Sequence, residues 1–290
     1  MGICGHTRFV LWPCTLAILG AIAAPAAAQQ PVIGEPRAVA VTGGIDLGNR
    51  YVFRGIPQNA TKIALWPFVD IDLRPYVGDG AFKRVGVRAG VWSSLHTGDT
   101  GADGPARSLR YETDYYAGVE LGLGRGIEVG ALFTAYTSPN DMFTTIKEVS
   151  VKVSVDERST LGTTLAPYAF AAFELDTAVG VGQADGGEKG GAYMEAGIAP
   201  GVRISRVELA LPVRVGISLD DYYELAREDH AFGFLSIGGV VSIPIFATRQ
   251  ADRLTVRGGV EYQTLGETTR TFNGGKRSKT VGQIGLRFAY

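Results

Sequence analysis

The chain is poor in the residues that carry most site chemistry. It has only 2 cysteines and 3 histidines in 290 residues, and Cys4 and Cys14 both fall within the first 28 positions. The chain beyond position 28 can build neither a disulfide framework nor a thiolate metal centre. His96 and His230 are too far apart for ligand spacing, so neither a metal nor a cofactor is expected. An excess of one charge is also missing. With 28 basic against 29 acidic side chains and a net charge of −1, there is no footprint for nucleic acid. No stretch beyond residue 28 reaches the roughly 18 apolar residues of a spanning helix. Proline is limited to 13 and glycine keeps no three-residue period, which excludes collagen, while 46% hydrophobic residues exclude disorder.

The first segment reads as an export label. Arg8 precedes an apolar run from Phe9 to Ala24, and Ala26-Ala27-Ala28 offers a small-residue cleavage site before Gln29. A retained anchor is the competing reading, and Pro13, Pro25 and the short apolar core speak against it. The expected organisation is a cleaved signal peptide (1–28), a short periplasmic segment (29–38) and one large unit (39–290).

That unit alternates with period two. Val39, Val41, Ile45 and Leu47 interleave with Ala40, Thr42, Asp46 and Gly48, and Val69, Ile71 and Leu73 interleave with Asp70, Asp72 and Arg74. Tyr111, Tyr115, Ala117, Val119 and Leu121 likewise oppose Glu112, Asp114, Gly118 and Glu120. The pattern predicts twelve strands, over 39–54, 64–74, 84–94, 111–123, 126–137, 145–155, 161–175, 191–202, 206–218, 231–246, 253–264 and 280–290. An even number of strands near the roughly 9–11 residues of a tilted span predicts an all-β fold, an up-and-down antiparallel transmembrane β-barrel of the bacterial outer membrane. The intervening gaps support this, because long ones (55–63, 95–110, 138–144, 176–190, 219–230, 265–279) alternate with short ones (75–83, 124–125, 156–160, 203–205, 247–252). Such barrels place short turns in the periplasm and long loops outside. Pro67, Pro167, Pro212 and Pro244 oppose the scheme, since a closed barrel has no edge strand on which a missing N–H is harmless. A bulge is expected at Pro212.

The C-terminus ends Gln283-Ile284-Gly285-Leu286-Arg287-Phe288-Ala289-Tyr290. Gln283, Gly285, Phe288 and Tyr290 resemble the signal that outer-membrane barrels present to their assembly machinery, although an ordinary closing strand also ends in aromatics. Nearer the start, Asn49-Arg50-Tyr51-Val52-Phe53-Arg54-Gly55-Ile56-Pro57-Gln58 is similar to the strand-and-loop motif of the TorF-like porin family, with Pro57 where that motif has serine. Gly90-Val91-Trp92-Ser93-Ser94, Glu112-Thr113-Asp114-Tyr115-Tyr116-Ala117-Gly118 and Thr164-Leu165-Ala166-Pro167-Tyr168 resemble further segments of that family. The resemblance implies an outer-membrane barrel and makes Pro167 a family feature. It names no solute.

If the apolar face meets lipid, the other face lines a lumen, because Arg or Lys aimed at the bilayer midplane costs roughly 2–4 kcal/mol. The acidic lining is then Asp46, Asp70, Asp72, Glu112, Asp114, Glu120, Glu128, Glu148, Glu174, Glu195, Glu208 and Glu261. The basic lining is Arg50, Arg88, Lys152, Arg214, Arg257 and Arg287, with Arg54 and Arg74 at strand ends. This excess of acid predicts a passive channel for small hydrophilic solutes with a weak preference for cations or neutral solutes. The rival reading pairs these charges into a plugged barrel, structural or adhesive, that works through its outer loops. Outer-membrane lipid, lipopolysaccharide, the assembly machinery and small polar solutes are the expected partners, and nucleic acid is not.

A rim enzyme acting on lipid is the minor alternative, drawn from Ser93, Ser94, His96 and Asp99. No catalytic residue is assigned, since such a trio is defined by geometry and a loop histidine of this kind is usually solvated. Gly122-Leu123-Gly124-Arg125-Gly126 lacks the following helix of a nucleotide fingerprint, and Asp220-Asp221 and Glu228-Asp229 read as solvated acidic loops. Among aromatics, Tyr51, Phe53, Phe133, Phe173 and Tyr262 are expected in an outer girdle and Phe288 and Tyr290 in an inner one. Trp66, Phe68, Trp92 and Tyr116 fall on the lumen side, as packing or as a surface along which solute slides.

Overall fold

A computed structural model describes residues 38–101, 104–155, 163–176, 182, 190–246 and 253–290. The segment 1–28 expected to be an export label, the segment 29–37, and the turns at 156–162 and 247–252 lie outside the described residues, as does Gly186-Gly187 of the fourth outer loop.

Twelve antiparallel strands close on themselves: β1 (Val39–Gly48), β2 (Ala64–Val77), β3 (Phe82–Leu95), β4 (Arg110–Leu123), β5 (Ile127–Thr137), β6 (Ile146–Val155), β7 (Thr163–Thr164 and Tyr168–Glu174), β8 (Ala192–Ile198 and Gly201–Ile204), β9 (Val207–Ala210 and Val213–Asp220), β10 (Phe232–Phe246), β11 (Arg253–Leu265) and β12 (Ser278–Ala289). Each pairs with its neighbours in sequence, and β12 returns to β1 through Thr42↔Ala289 to Gly48↔Gln283. Closure satisfies the backbone donors and acceptors that lipid cannot.

Period two sets the two faces. Ile45, Leu47, Val69, Ile71, Leu73, Val119, Ile237 and Ile284 stand exposed around the outside, while Thr42, Asp46, Asp70, Asp72, Arg88 and Glu195 are buried within. This apolar belt is the lipid-facing surface of an outer-membrane barrel. Inside, glycines on the lumen face seat aromatic rings from the adjacent strand, as in the register pairs Gly90↔Tyr116, Gly197↔Tyr168 and Gly216↔Phe234. A Cβ on Gly90 would stand 2.5 Å from the Tyr116 ring. Much of the high glycine content is therefore a packing requirement of the interior.

Prolines interrupt β7, β8 and β9 at Pro167, Pro200 and Pro212 without shifting register. Ala210 faces Val240 and Val213 faces Ile237, so β10 continues past Pro212 in step, and the bulge expected there does not form. The proline carbonyls still accept, from Val155 N–H (3.0 Å), Leu211 N–H (2.8 Å) and Gly238 N–H (2.8 Å). Irregularities of this wall lie instead between Gly216 and Ile217, opposite Gly233, and between Ala192 and Tyr193, opposite Leu219.

Two departures from strict alternation shape the outer end. The first strand stops at Gly48 rather than running to residue 54. Tyr51–Phe53 and Ile56–Asn59 form a separate two-stranded ribbon that joins no wall strand. Its turn is Arg54-Gly55, both at positive φ (46° and 83°), the conformation of a tight two-residue hairpin, which glycine adopts at little cost. The second departure is Tyr111, expected on the lipid side. A register shift between Ser94 and Leu95 turns it inward, where it is buried.

Candidate functional site

The candidate site is the lumen, and its two halves differ. The outer half is filled by the ribbon of the first outer loop. From Tyr51 to Pro57 every residue is buried, so Tyr51 and Phe53 belong to the interior and not to the girdle expected from their alternation. Tyr51 and Phe53 pack with Trp66, Phe68, Trp92, Tyr116, Tyr136 and Ile146 on one side of the lumen. Across from them, Ile56 joins Phe170, Tyr193, Tyr222, Tyr223 and Phe234. The lumen-side Trp66, Phe68, Trp92 and Tyr116 are accordingly packed beneath the ribbon.

Arg54, at the ribbon's tip, is 5% exposed. Its guanidinium donates to both carboxylate oxygens of Glu148 (2.7 and 2.9 Å) and to the Tyr222 hydroxyl (3.0 Å). It lies 4.3 Å from the Tyr193 ring centroid and 4.7 Å from that of Phe53. Burial works against the charge on Arg54, but Glu148, then Tyr222, outweigh it and hold its pKa above the ordinary value. The Tyr223 hydroxyl donates to the Arg54 carbonyl (2.8 Å), and Asn273 Nδ2 donates to the Gly55 carbonyl (2.8 Å). Asn273 follows a short helix, α1 (Glu267–Phe272), in the sixth outer loop. One tip is thus held by a wall strand and two other loops.

The inner half is polar and its charges are arranged in pairs. Arg88 donates to Asp70 (2.8 and 3.1 Å), and the Tyr116 hydroxyl shares the same oxygen (2.7 Å). Arg214 bridges Glu195 (3.1 Å) and Glu261 (2.8 Å), while Tyr168 and Tyr193 donate to Glu195 at 2.6 and 2.7 Å. Arg84 reaches Glu128 (2.8 Å) and Glu120 (3.4 Å), Arg257 stands 3.9 Å from Asp46, and Arg203 pairs with Glu208. Lys152 sits 4.9 Å over the Tyr168 ring, and Arg287 5.4 Å over Phe68. Eight of the twelve acids expected on the lumen face therefore stand in an ion pair: Asp46, Asp70, Glu120, Glu128, Glu148, Glu195, Glu208 and Glu261. Asp72, Glu112 and Asp114 are buried on that face with no basic partner in ion-pair contact among the described residues. Glu174 accepts from Gly191 N–H (2.9 Å), and Arg50 is half-buried. The positions expected for the assembly signal divide between faces: Gln283 and Gly285 point inward, and Phe288 and Tyr290 are exposed outside.

Sequence reasoning missed the ribbon's partners. Tyr222, Tyr223 and Asn273 lie in loops far from Arg54 in sequence, and only Gly55 beside Arg54 signalled the turn. The serine and histidine of the rim trio do meet, with Ser94 Oγ 2.9 Å from His96 Nδ1. Both are buried, Ser94 Oγ also accepts from Trp66 Nε1–H (3.1 Å), and the His96 ring lies 4.3 Å from that of Tyr111. Burial lowers the His96 pKa to about 4, an effect only partly offset by the Gln58 backbone. Asp99 instead uses its backbone to hold Ala60 and Thr61 (2.8 and 3.0 Å). Among the described residues no group of three or more His, Asp and Glu is placed to hold a metal ion.

The architecture is shared with a solved outer-membrane channel of Pseudomonas putida F1. The two superpose with a TM-score of 0.52 at 10% identity, over 89% of this chain and 97% of that one. The chain has the fold of an outer-membrane channel. Looser likenesses join it to the NanC porin (TM-score 0.45, 14% identity, 87% of this chain and 99% of that one) and to the outer-membrane phospholipase A of Escherichia coli (0.41, 11%, 85% and 89%). No family model and no curated protein matches the sequence.

Proposed function

We propose that the protein is a porin-like pore for small hydrophilic solutes whose conductance is set by its first outer loop. The observation that carries this reading is the ribbon itself. It fills the outer lumen, yet it is a sheet of its own, fixed to the wall by side chains and not by strand pairing. Below it, lumen-face carboxylates such as Glu120 and Glu128 keep partial exposure, which supports a polar route past the ribbon. The motif resemblance to TorF-like porins points in the same direction. Most lumen acids are paired, and the selectivity of this reading rests on the excess of the twelve acids expected on the lumen face over the eight bases expected there. A weak preference for cations over anions follows.

The ribbon also favours a second reading, a plugged barrel that acts through its outer loops. Planar-bilayer recording separates the two. The pore reading expects small single-channel steps from the wild-type protein and larger ones when Tyr51–Asn59 is replaced by a short Gly-Ser link. Reversal potentials in a salt gradient should have the sign of mild cation selectivity. A folded sample without steps in either form would establish the plugged barrel.

A further inference from the structure

The inner rim carries a second feature that the ribbon does not use. Between β2, β3, β4 and β5 lies a cavity of about 390 Å³, lined by Arg74, Lys83, Arg84 and Arg125, with Glu128 as its acidic member. Leu123, Ile127 and Val77 supply an apolar side.

Local backbone irregularity builds this corner. The register between β2 and β3 slips between Leu73 and Tyr76, at Arg74-Pro75, and that between β3 and β4 slips between Phe82 and Arg84, at Lys83. Bulges re-aim side chains, and here two of them flank one cavity. Arg125 comes from the β4–β5 turn, where it adopts a left-handed φ of 62°.

The charges in this corner are not balanced. Arg84 is occupied by Glu128 and Glu120 (2.8 and 3.4 Å), and Lys83 donates to the Asp79 carbonyl (2.6 Å). Arg74 differs from both. It is 8% exposed, its Nη2 is buried without a hydrogen-bond partner, and no carboxylate among the described residues is in ion-pair contact with it. Asp72, two residues away on the same face, keeps its own Oδ2 unpartnered. A buried guanidinium nitrogen left unmatched is costly, and a phosphoryl oxygen fits its planar donor geometry.

We propose that this cavity is an oxyanion site that takes a phosphoryl group, with Arg74 as its buried anchor, Arg125 and Lys83 as outer cations, and Leu123 and Ile127 against any apolar substituent. The binding proposed here does not rest on the pore reading. Two sources carry this chemistry, free phosphate of the periplasm and the headgroup of an inner-leaflet phospholipid.

The test uses the full-length protein folded in a non-phosphate detergent. In one arm, inorganic phosphate is titrated calorimetrically. In the other, native mass spectrometry counts phosphatidylglycerol retained from mixed micelles. The expected result is one-site binding in at least one arm, weakened at least tenfold by Arg74→Gln and unchanged by Arg107→Gln, an exposed outer-loop control. The responding arm identifies the source. Arg125→Asn, which keeps a residue tolerant of left-handed φ, serves if Arg74→Gln fails to fold, and it should weaken the same binding. Absence of one-site binding in both arms, or binding indifferent to both substitutions, would overturn the proposal.

Discussion

Gly90 and Tyr116 show how tightly single residues specify the interior. They face each other across β3 and β4, and the Tyr116 hydroxyl completes the Asp70–Arg88 pair. Gly90→Val would drive a side chain into that ring. Thermal unfolding in detergent should reveal a loss of about 1–3 kcal/mol, whereas Gly239→Val, where nothing lies within 4 Å of a Cβ, should have little effect. His96 makes a pH prediction at the same scale. Its folded pKa of about 4 lies below the ordinary histidine value of 6.5. Between these values the unfolded chain binds a proton that the folded one refuses, so stability is lost as pH falls from about 6.5 toward 4 and regained as it rises. His96→Gln should flatten the dependence of the thermal midpoint over that window. The inward charges were legible in the sequence because an ionised group on the lipid face is so costly. Their pairing was not, since Arg214 meets Glu195 and Glu261 through cross-strand register that no local pattern encodes.

At the scale of elements, the ribbon is where alternation misleads. Tyr51 and Phe53 resume the odd-numbered apolar series of Ile45 and Leu47, so in the period only the polar Asn49 marks the break after Gly48. The turn at Arg54-Gly55 and the buried Glu148, 94 positions onward, decide the outcome. Glu148→Gln leaves Arg54 buried without its counter-charge. Losing one partner of such a pair costs about 3–5 kcal/mol, so the ribbon should detach and become cleavable by protease added to the outer face. The double change Arg54→Gln with Glu148→Gln removes both charges and should restore part of the protection. Retained protection in Glu148→Gln alone would mean that Tyr223 and Asn273 suffice to hold the tip.

The whole molecule was the most legible level. Twelve strands and the alternation of long and short connections follow from a period of two and from turn chemistry, both written locally along the chain. The protein should accordingly stay monodisperse only in detergent or lipid, migrate on gels as a heat-modifiable band, and give a β-type infrared amide band. The wall is uneven in a further respect. Where Pro167, Pro200 and Pro212 cross β7, β8 and β9, three neighbouring strands each lack one donor although their register is unbroken. Native-state deuterium uptake should begin along this crease. If the cylinder ever parts sideways toward the bilayer, the fewer rungs there make it the natural zip line.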